Sequence, residues 1–289
     1  MRTKNIAVLL LLVTVSFSWI AIVEAPPQEN TKKGFNVDVS DLVSRTKPSK
    51  PPGGGGKPSG DISTGTVADF SGDRFAIIIG ISDYAGTVND LDYCDDDAAD
   101  FKKALPNSYT VIELLDDDAT RQAILDAIES VGSQVTADDE VVFFYSGHGS
   151  VSSANPDGDS ERKDECIIPW EATFASAIWD GELTQAFSDF TCRIMFYFDS
   201  CYSGGMTDLA APNRLICMAC GESQLSLESS TWENGQFSYY FADEGLLQGL
   251  ADKNGDALVT FEEAFDYAKA NCIRQTPTAV DSFVNDMTP

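Results

Sequence analysis

Apolar residues in this chain come in short continuous runs separated by amphipathic stretches. "RFAIIIGI" (74–81), "YTVIELL" (109–115), "DEVVFFYSG" (139–147), "CRIMFYFDS" (192–200) and "RLICMAC" (214–220) are such runs. They are short, and together with the alternation below they predict buried strands. "ECIIPW" (165–170) predicts one more short strand. Between the runs lie helical patterns. "DDDAADFKKAL" (95–105) has acids at its start and lysines near its end, as the helix dipole favours. "DDATRQAILDAIESV" (117–131) puts Ile124, Ile128 and Val131 on one face. "GELTQAFSDF" (181–190) and the stretches 237–248 and 261–273 predict three further helices. Strands alternating with helices imply an α/β fold, a mostly parallel sheet with helices on both faces. Ligands in such sheets bind beyond the C-terminal ends of the strands.

Two of those strand ends carry reactive side chains. The run 139–147 leads into Ser146-Gly147-His148-Gly149, which holds the only histidine of the chain. The run 192–200 leads into Asp199-Ser200-Cys201-Tyr202-Ser203-Gly204-Gly205. Neighbouring parallel strands would bring His148 and Cys201 to one edge. Cysteine attacks carbonyls as a thiolate, and a histidine beside it can create that form. The flanking glycines let a substrate backbone approach closely. Backbone N–H groups of Gly149 and Cys201 are candidates for binding the oxyanion of an acyl-transfer intermediate.

Composition sets the surroundings. A formal charge of −27 excludes the basic footprint that nucleic acid requires, and it favours cationic protein segments as partners. The N-terminus reads as a targeting segment. Arg2 and Lys4 precede an uncharged, mostly apolar stretch (6–23) and then "VEAPP". Residues 1–25 are therefore expected to be a secretory signal or a membrane anchor, and the protein is expected outside the cytosol or tethered to the outer face of the membrane. Residues 26–66 include "KPSKPPGGGGKPSG" and are expected to be a flexible linker. The folded domain is expected over 67–289. Of the seven cysteines, Cys217 and Cys220 form a C-x-x-C within an apolar run and are read as buried structural thiols.

"FFYSGHGS" and "FYFDSCYSGG" resemble the two signature segments of caspase-like cysteine peptidases, closest to the metacaspase and prokaryotic caspase-homologue branch. Cys201 lies 53 positions after His148, close to the spacing of about 50 residues in caspases. "GISDYAG", "LDYCDDDAADF" and "DECIIPW" follow the family's order. The resemblance implies a caspase-like fold and hydrolysis of peptide or protein substrates through an acyl-enzyme. It also implies cleavage after arginine or lysine, with two acids holding the basic side chain. One such acid stands two positions before the cysteine, here Asp199. The other stands in a segment resembling C-x-x-D-A, here Asp97. Two converging carboxylates suit the forked donors of arginine. A legumain-like peptidase with asparagine preference, or a catalytically silent calcium-binding module on the same fold, would share the histidine and cysteine strand ends.

"DKNGDALVTFEE" (252–263) follows the pattern of a calcium loop. Asp252, Asn254, Asp256 and Glu263 would supply side-chain oxygens, Leu258 its carbonyl and Thr260 a further contact. Ala257 stands where a glycine normally makes the sharp turn. The family resemblance implies a second calcium site, for which Asp164, Asp180 and Asp208 are the nearest matches. It also implies self-cutting, with Arg162, Lys163 and Arg214 as candidates in expected loops. The short 205–215 segment predicts a single chain rather than two separated subunits.

Overall fold

The computed structural model describes residues 29–31 (backbone only), 60–154, 156–157 and 163–289. The expected signal or anchor, residues 1–25, lies outside them. Among the described residues no helix is long and apolar enough to cross a membrane.

A six-stranded sheet organises the chain. In chain order the elements are β1 (Glu29–Thr31), β2 (Arg74–Gly80), α1 (Cys94–Ala104), β3 (Tyr109–Leu115), α2 (Arg121–Gly132) and β4 (Glu140–Ser146). Then come β5 (Gly149–Ser152), β6 (Asp164–Ile167), β7 (Ile178–Trp179), α3 (Asp180–Ala186), β8 (Arg193–Asp199) and β9 (Arg214–Met218). The last are β10 (Leu227–Ser229), β11 (Asn234–Gly235), α4 (Gln236–Ser238), α5 (Phe261–Asn271) and β12 (Thr278–Asp281). The main sheet has the order β12-β9-β8-β4-β2-β3. All neighbours are parallel except β12, which runs antiparallel to β9. This is the mixed, mostly parallel α/β sheet that the alternation of patterns predicts.

Side chains leave each strand alternately to two cores. One face carries Ile77, Ile79, Phe143, Phe196 and Phe198 against Ile124, Ile128 and Val131 of α2 and Leu183 of α3. The other carries Ile78, Phe144, Met195 and Tyr197 against Phe101 of α1 and Phe261, Ala264 and Phe265 of α5. Burial on both faces explains why these strands are continuous apolar runs. At the N-terminal end of the strands, buried Glu140 bridges Arg74 of β2 (3.1 Å) and Arg193 of β8 (2.8 Å), tying three adjacent strands.

Three features depart from the expectations. Residues 60–66, assigned to the linker, are bound to the domain. Asp286 accepts hydrogen bonds from the Thr64 and Gly65 amides and from the Ser63 and Thr64 hydroxyls. Asp266 accepts from the Ile62 and Ser63 amides. Buried carboxylates need donors, and a Ser/Thr/Gly run supplies them. Glu29–Thr31, also in the expected linker, is a strand paired with β10. Finally, the stretch 237–248 is a single turn of α-helix, α4, that widens into a π-helix over Tyr239–Leu247.

Candidate active site

The two reactive strand ends are adjacent. β4 and β8 pair in parallel, and Ser146 stands opposite Asp199 at their ends. The chain then turns at Gly147, whose N–H donates to the Asp199 carbonyl (3.3 Å). Two residues on, Gly149 meets the cysteine turn. A methyl group there would lie 2.1 Å from the Cys201 carbonyl oxygen, so only glycine fits. Tyr202, immediately after Cys201, takes a left-handed backbone conformation (φ 61°). Its N–H is held by the Gln224 carbonyl at 2.8 Å. A non-glycine residue in that conformation is uncommon and marks a constrained turn.

Two buried tyrosines fix the histidine backbone. The Tyr84 hydroxyl accepts the His148 N–H at 2.7 Å, and the Tyr145 hydroxyl donates to the His148 carbonyl at 2.7 Å. Burial holds both phenols well above their ordinary pKa, so they stay protonated donors. Gly147 makes room for this clamp, since a methyl group there would lie 2.6 Å from the Tyr145 oxygen and 2.7 Å from the Tyr84 oxygen.

The imidazole is oriented by a residue the sequence patterns did not single out. Nε2 of His148 lies 2.7 Å from the backbone carbonyl of Asn89. A carbonyl only accepts, so Nε2 carries the proton and Nδ1 is the basic nitrogen. The carbonyl fixes the ring orientation and its tautomer. No spacing rule marks such a residue, because the group used is common to every amino acid.

The two acids of the expected basic-side-chain pocket do come together. Asp97 on α1 and Asp199 at the end of β8 are both fully buried. Asp97 accepts from the Ser146 hydroxyl (2.6 Å) and the Gly235 N–H (2.7 Å). Asp199 accepts from the Ser226 hydroxyl (2.5 Å) and from the Ser238 amide (3.0 Å) and hydroxyl (2.9 Å). Their carboxylates converge beside Gly235. A methyl group there would lie 2.5 Å from Asp199 Oδ2 and 2.9 Å from Asp97 Oδ2. Two carboxylates facing one point in a buried site favour a cation. Gly235 itself gave no signal in the sequence, being one glycine among 22.

All seven cysteines are thiols rather than disulfides. Cys217 and Cys220 sit as structural groups. Burial pushes both thiols above their ordinary pKa. The Cys220 sulfur bonds the Ser200 carbonyl (3.4 Å) and the Gln224 carbonyl (3.2 Å), bracing the turn that carries Cys201. Arg214, named as a self-cutting candidate in a loop, is instead a β9 residue. It is buried and donates to the Leu209 (2.9 Å) and Phe187 (2.7 Å) carbonyls. Lys163 is exposed and pairs with Glu222 at 3.5 Å. Arg162 lies outside the described residues.

The expected calcium loop, 252–263, is an exposed turn that leads into α5. Ala257 takes the left-handed conformation (φ 67°) that its position demands. Thr260 caps α5 reciprocally with Glu263. Glu263 is held above its ordinary pKa by burial and by the charges of Asp256 and Asp252. The Asp252 carboxylate accepts the Gly255 (2.8 Å) and Ala257 (3.0 Å) amides. The Asn254 and Asp256 side chains each accept an amide two residues on, both at 2.9 Å. Hard oxygen donors in this order fit calcium in kind. Among the described residues no three His, Cys, Asp or Glu side chains are arranged to hold a metal ion. For the second expected site, Asp164 and Asp180 are buried neighbours. Asp157, which the sequence did not single out, joins them by accepting the Gly181 N–H at 3.0 Å and donating its own N–H toward Asp164 at 3.5 Å. Asp208 is on the 3-10 helix Ser203–Leu209, which packs on β6 and α3.

Residues 73–285 match the caspase domain of the C14 peptidases, and the chain belongs to that family of cysteine peptidases. It is 34% identical to metacaspase-1 of Schizosaccharomyces pombe over 153 residues, 48% of this chain and 36% of that protein. It is 34% identical over 160 residues to metacaspase-1 of Candida albicans, 49% of this chain and 36% of that protein. It is 32% identical over 152 residues to metacaspase-4 of Arabidopsis thaliana, 47% and 34% of the two chains. The matched region thus spans about a third of these relatives. A crystal structure of a Geobacter sulfurreducens protein shares the fold at a TM-score of 0.56 and 19% identity, covering 72% of this chain and 92% of that one.

Proposed function

We propose that the protein is an exported cysteine endopeptidase that hydrolyses peptide bonds after arginine or lysine. The observation that carries this reading is the convergence of the Asp97 and Asp199 carboxylates on one point beside Gly235. A guanidinium or ammonium group leaving water requires such a partner, and arginine can engage both acids at once.

The chemistry follows from the strand ends. His148 Nδ1 takes the proton of the Cys201 thiol. The sulfur attacks the carbonyl carbon, and the amides of Gly149 and Cys201 receive the oxyanion. The proton on Nδ1 passes to the leaving amine, and water then cleaves the thioester to release the acid and restore the thiol. Asn89 keeps the imidazole in the tautomer that presents Nδ1. Calcium belongs to this proposal as a support of the fold or a switch of activity. At the 252–263 loop Asp252, Asn254, Asp256, Glu263, the Leu258 carbonyl and Thr260 would hold it, fixing the entry to α5. Asp164 and Asp180, with Asp157 and Asp208 beside them, would hold a second ion.

The test uses the whole protein with short fluorogenic peptides ending in Arg, Lys, Asp or Asn, in calcium and in chelator. Cleavage after Arg and Lys, lost in Cys201→Ala and stronger with calcium, is expected. Cleavage after Asn or Asp would overturn the pocket. No cleavage by a protein that still alkylates at Cys201 would favour a silent binding module, and activity surviving in Cys201→Ala would sink the mechanism.

A further inference from the structure

Asp199, one of the two pocket acids, is aimed by residues that the cleavage chemistry above does not use. Its Oδ1 accepts the Ser226 hydroxyl at 2.5 Å. Its Oδ2 accepts the Ser238 amide at 3.0 Å and the Ser238 hydroxyl at 2.9 Å. The Ser238 oxygen in turn accepts the Tyr197 hydroxyl at 3.1 Å. Ser226, Ser238, Tyr197 and Asp199 are each at most 1% exposed, so bulk solvent does not compete for these bonds.

Each donor is itself fixed. Tyr197 leaves β8 on the same face as Asp199, two residues before it. Its ring stacks on Phe144 at 4.8 Å and on Phe237 at 4.9 Å, with Phe101 and Phe241 against it at 5.4 and 4.9 Å. Burial, and then the charge of Asp199, holds its phenol well above the ordinary pKa, so it stays a donor. Ser238 follows Phe237 on α4. Ser226 directly precedes β10. There the Leu227 N–H donates to the buried Gln275 side chain at 2.8 Å, and that side chain donates to the Ala219 carbonyl at 3.1 Å. One carboxylate is thus held from β8, from α4 and from the start of β10.

That aim decides which cation the pair of acids can hold. Asp199 Oδ2 and Asp97 Oδ2 lie 2.5 Å and 2.9 Å from one point beside Gly235. Two oxygens that near a common point fall within the span of two charge-assisted bonds to a single nitrogen, about 5.6 Å. Arginine spreads its donors over a planar fork and can follow a carboxylate that turns aside. Lysine carries its donors on one nitrogen and meets both acids only while both oxygens converge. We propose that Ser226, Ser238 and Tyr197 are positioning residues for Asp199, and that the fixed aim they impose is what admits lysine beside arginine. The proposal rests on the cleavage specificity given above. Loosening the aim leaves an enzyme that favours arginine.

The experiment measures kcat and KM of the whole wild-type protein, Tyr197→Phe and Ser226→Ala on two fluorogenic peptides that differ only in ending in Arg or Lys. Tyr197→Phe keeps the packed ring and removes one hydroxyl, and it decides the matter if Ser226→Ala does not fold. In the variants KM for the lysine peptide should rise about 10-fold and KM for the arginine peptide by less than about 3-fold, with kcat on both near the wild type. Iodoacetamide should alkylate Cys201 at the wild-type rate. A wild type that cleaves both peptides, with variants that lose equally on both or on neither, overturns this inference alone. So does a wild type that cleaves after arginine and refuses lysine. A wild type that cleaves neither peptide, or that cleaves after Asn or Asp, removes the specificity reading as well.

Discussion

Gly235→Ala separates pocket chemistry from backbone effects. Gly235 has φ −62° and ψ 144°, a conformation open to any residue, so alanine introduces no torsional penalty. What it introduces is a methyl group 2.5 Å from Asp199 Oδ2 and 2.9 Å from Asp97 Oδ2. The two carboxylates must shift to admit it, and that changes the arrangement a cationic side chain would meet. A charge-assisted hydrogen bond contributes about 1.5–3 kcal/mol, so displacing the cation from both carboxylates loses about 3 kcal/mol. At 1.36 kcal/mol per tenfold change, kcat/KM for an arginine-ended peptide falls by about two orders of magnitude. The assay is steady-state kinetics on arginine- and lysine-ended fluorogenic peptides. Two controls accompany it: the thermal unfolding midpoint, and the rate at which iodoacetamide alkylates Cys201. The alkylation rate should stay near the wild type, while the melting point reports how far the buried Asp97 and Asp199 side chains must shift to admit the methyl group. Wild-type kcat/KM in a folded Gly235→Ala protein would refute the pocket.

Further outcomes follow from the same geometry. Asn89→Ala should retain wild-type kcat, since only the backbone carbonyl orients His148; a large loss in the same assay would show that the side chain is used. Glu140→Ala leaves Arg74 and Arg193 without their carboxylate at the starts of β2 and β8 and should cost about 3 kcal/mol in urea unfolding. Glu262 is buried, and burial followed by the charges of Asp286 and Asp281 raises its pKa well above 4.5. The folded state then binds the proton more tightly than the unfolded one, so its ionisation costs stability as pH rises above that value. Glu262→Gln should therefore gain in melting temperature relative to the wild type as pH rises above the ordinary carboxylate range, and a constant difference would contradict this.

The sheet was legible in the sequence for a physical reason. Strands such as 74–80, 140–146 and 193–199 are buried on both faces, and continuous apolar runs report that directly. His148 and Cys201 were legible because they sit at the ends of those runs. What escaped is what carries no side-chain signal. The Asn89 contribution is a carbonyl, and Gly235 contributes only an absence of atoms. Glu29–Thr31 is short and polar, and its strand character comes from pairing with β10 rather than from any pattern of its own. Arg214 stands at the start of the apolar run 214–220 and is also a self-cutting candidate in an expected loop, and the structure keeps only the strand. Two carbonyls and the Phe196 ring receive its guanidinium instead, and β9 starts there.

The central claim is a basic-residue pocket feeding Cys201, and one labelling measurement tests it most directly. The whole protein is treated with an arginine-ended peptide bearing an electrophilic ketone, and the modified cysteine is located by peptide mapping. The account predicts one adduct, on Cys201 and on none of the other six cysteines, lost in Asp199→Asn and not formed by the aspartate-ended analogue. An adduct on another cysteine, or equal labelling by the two analogues, would contradict it.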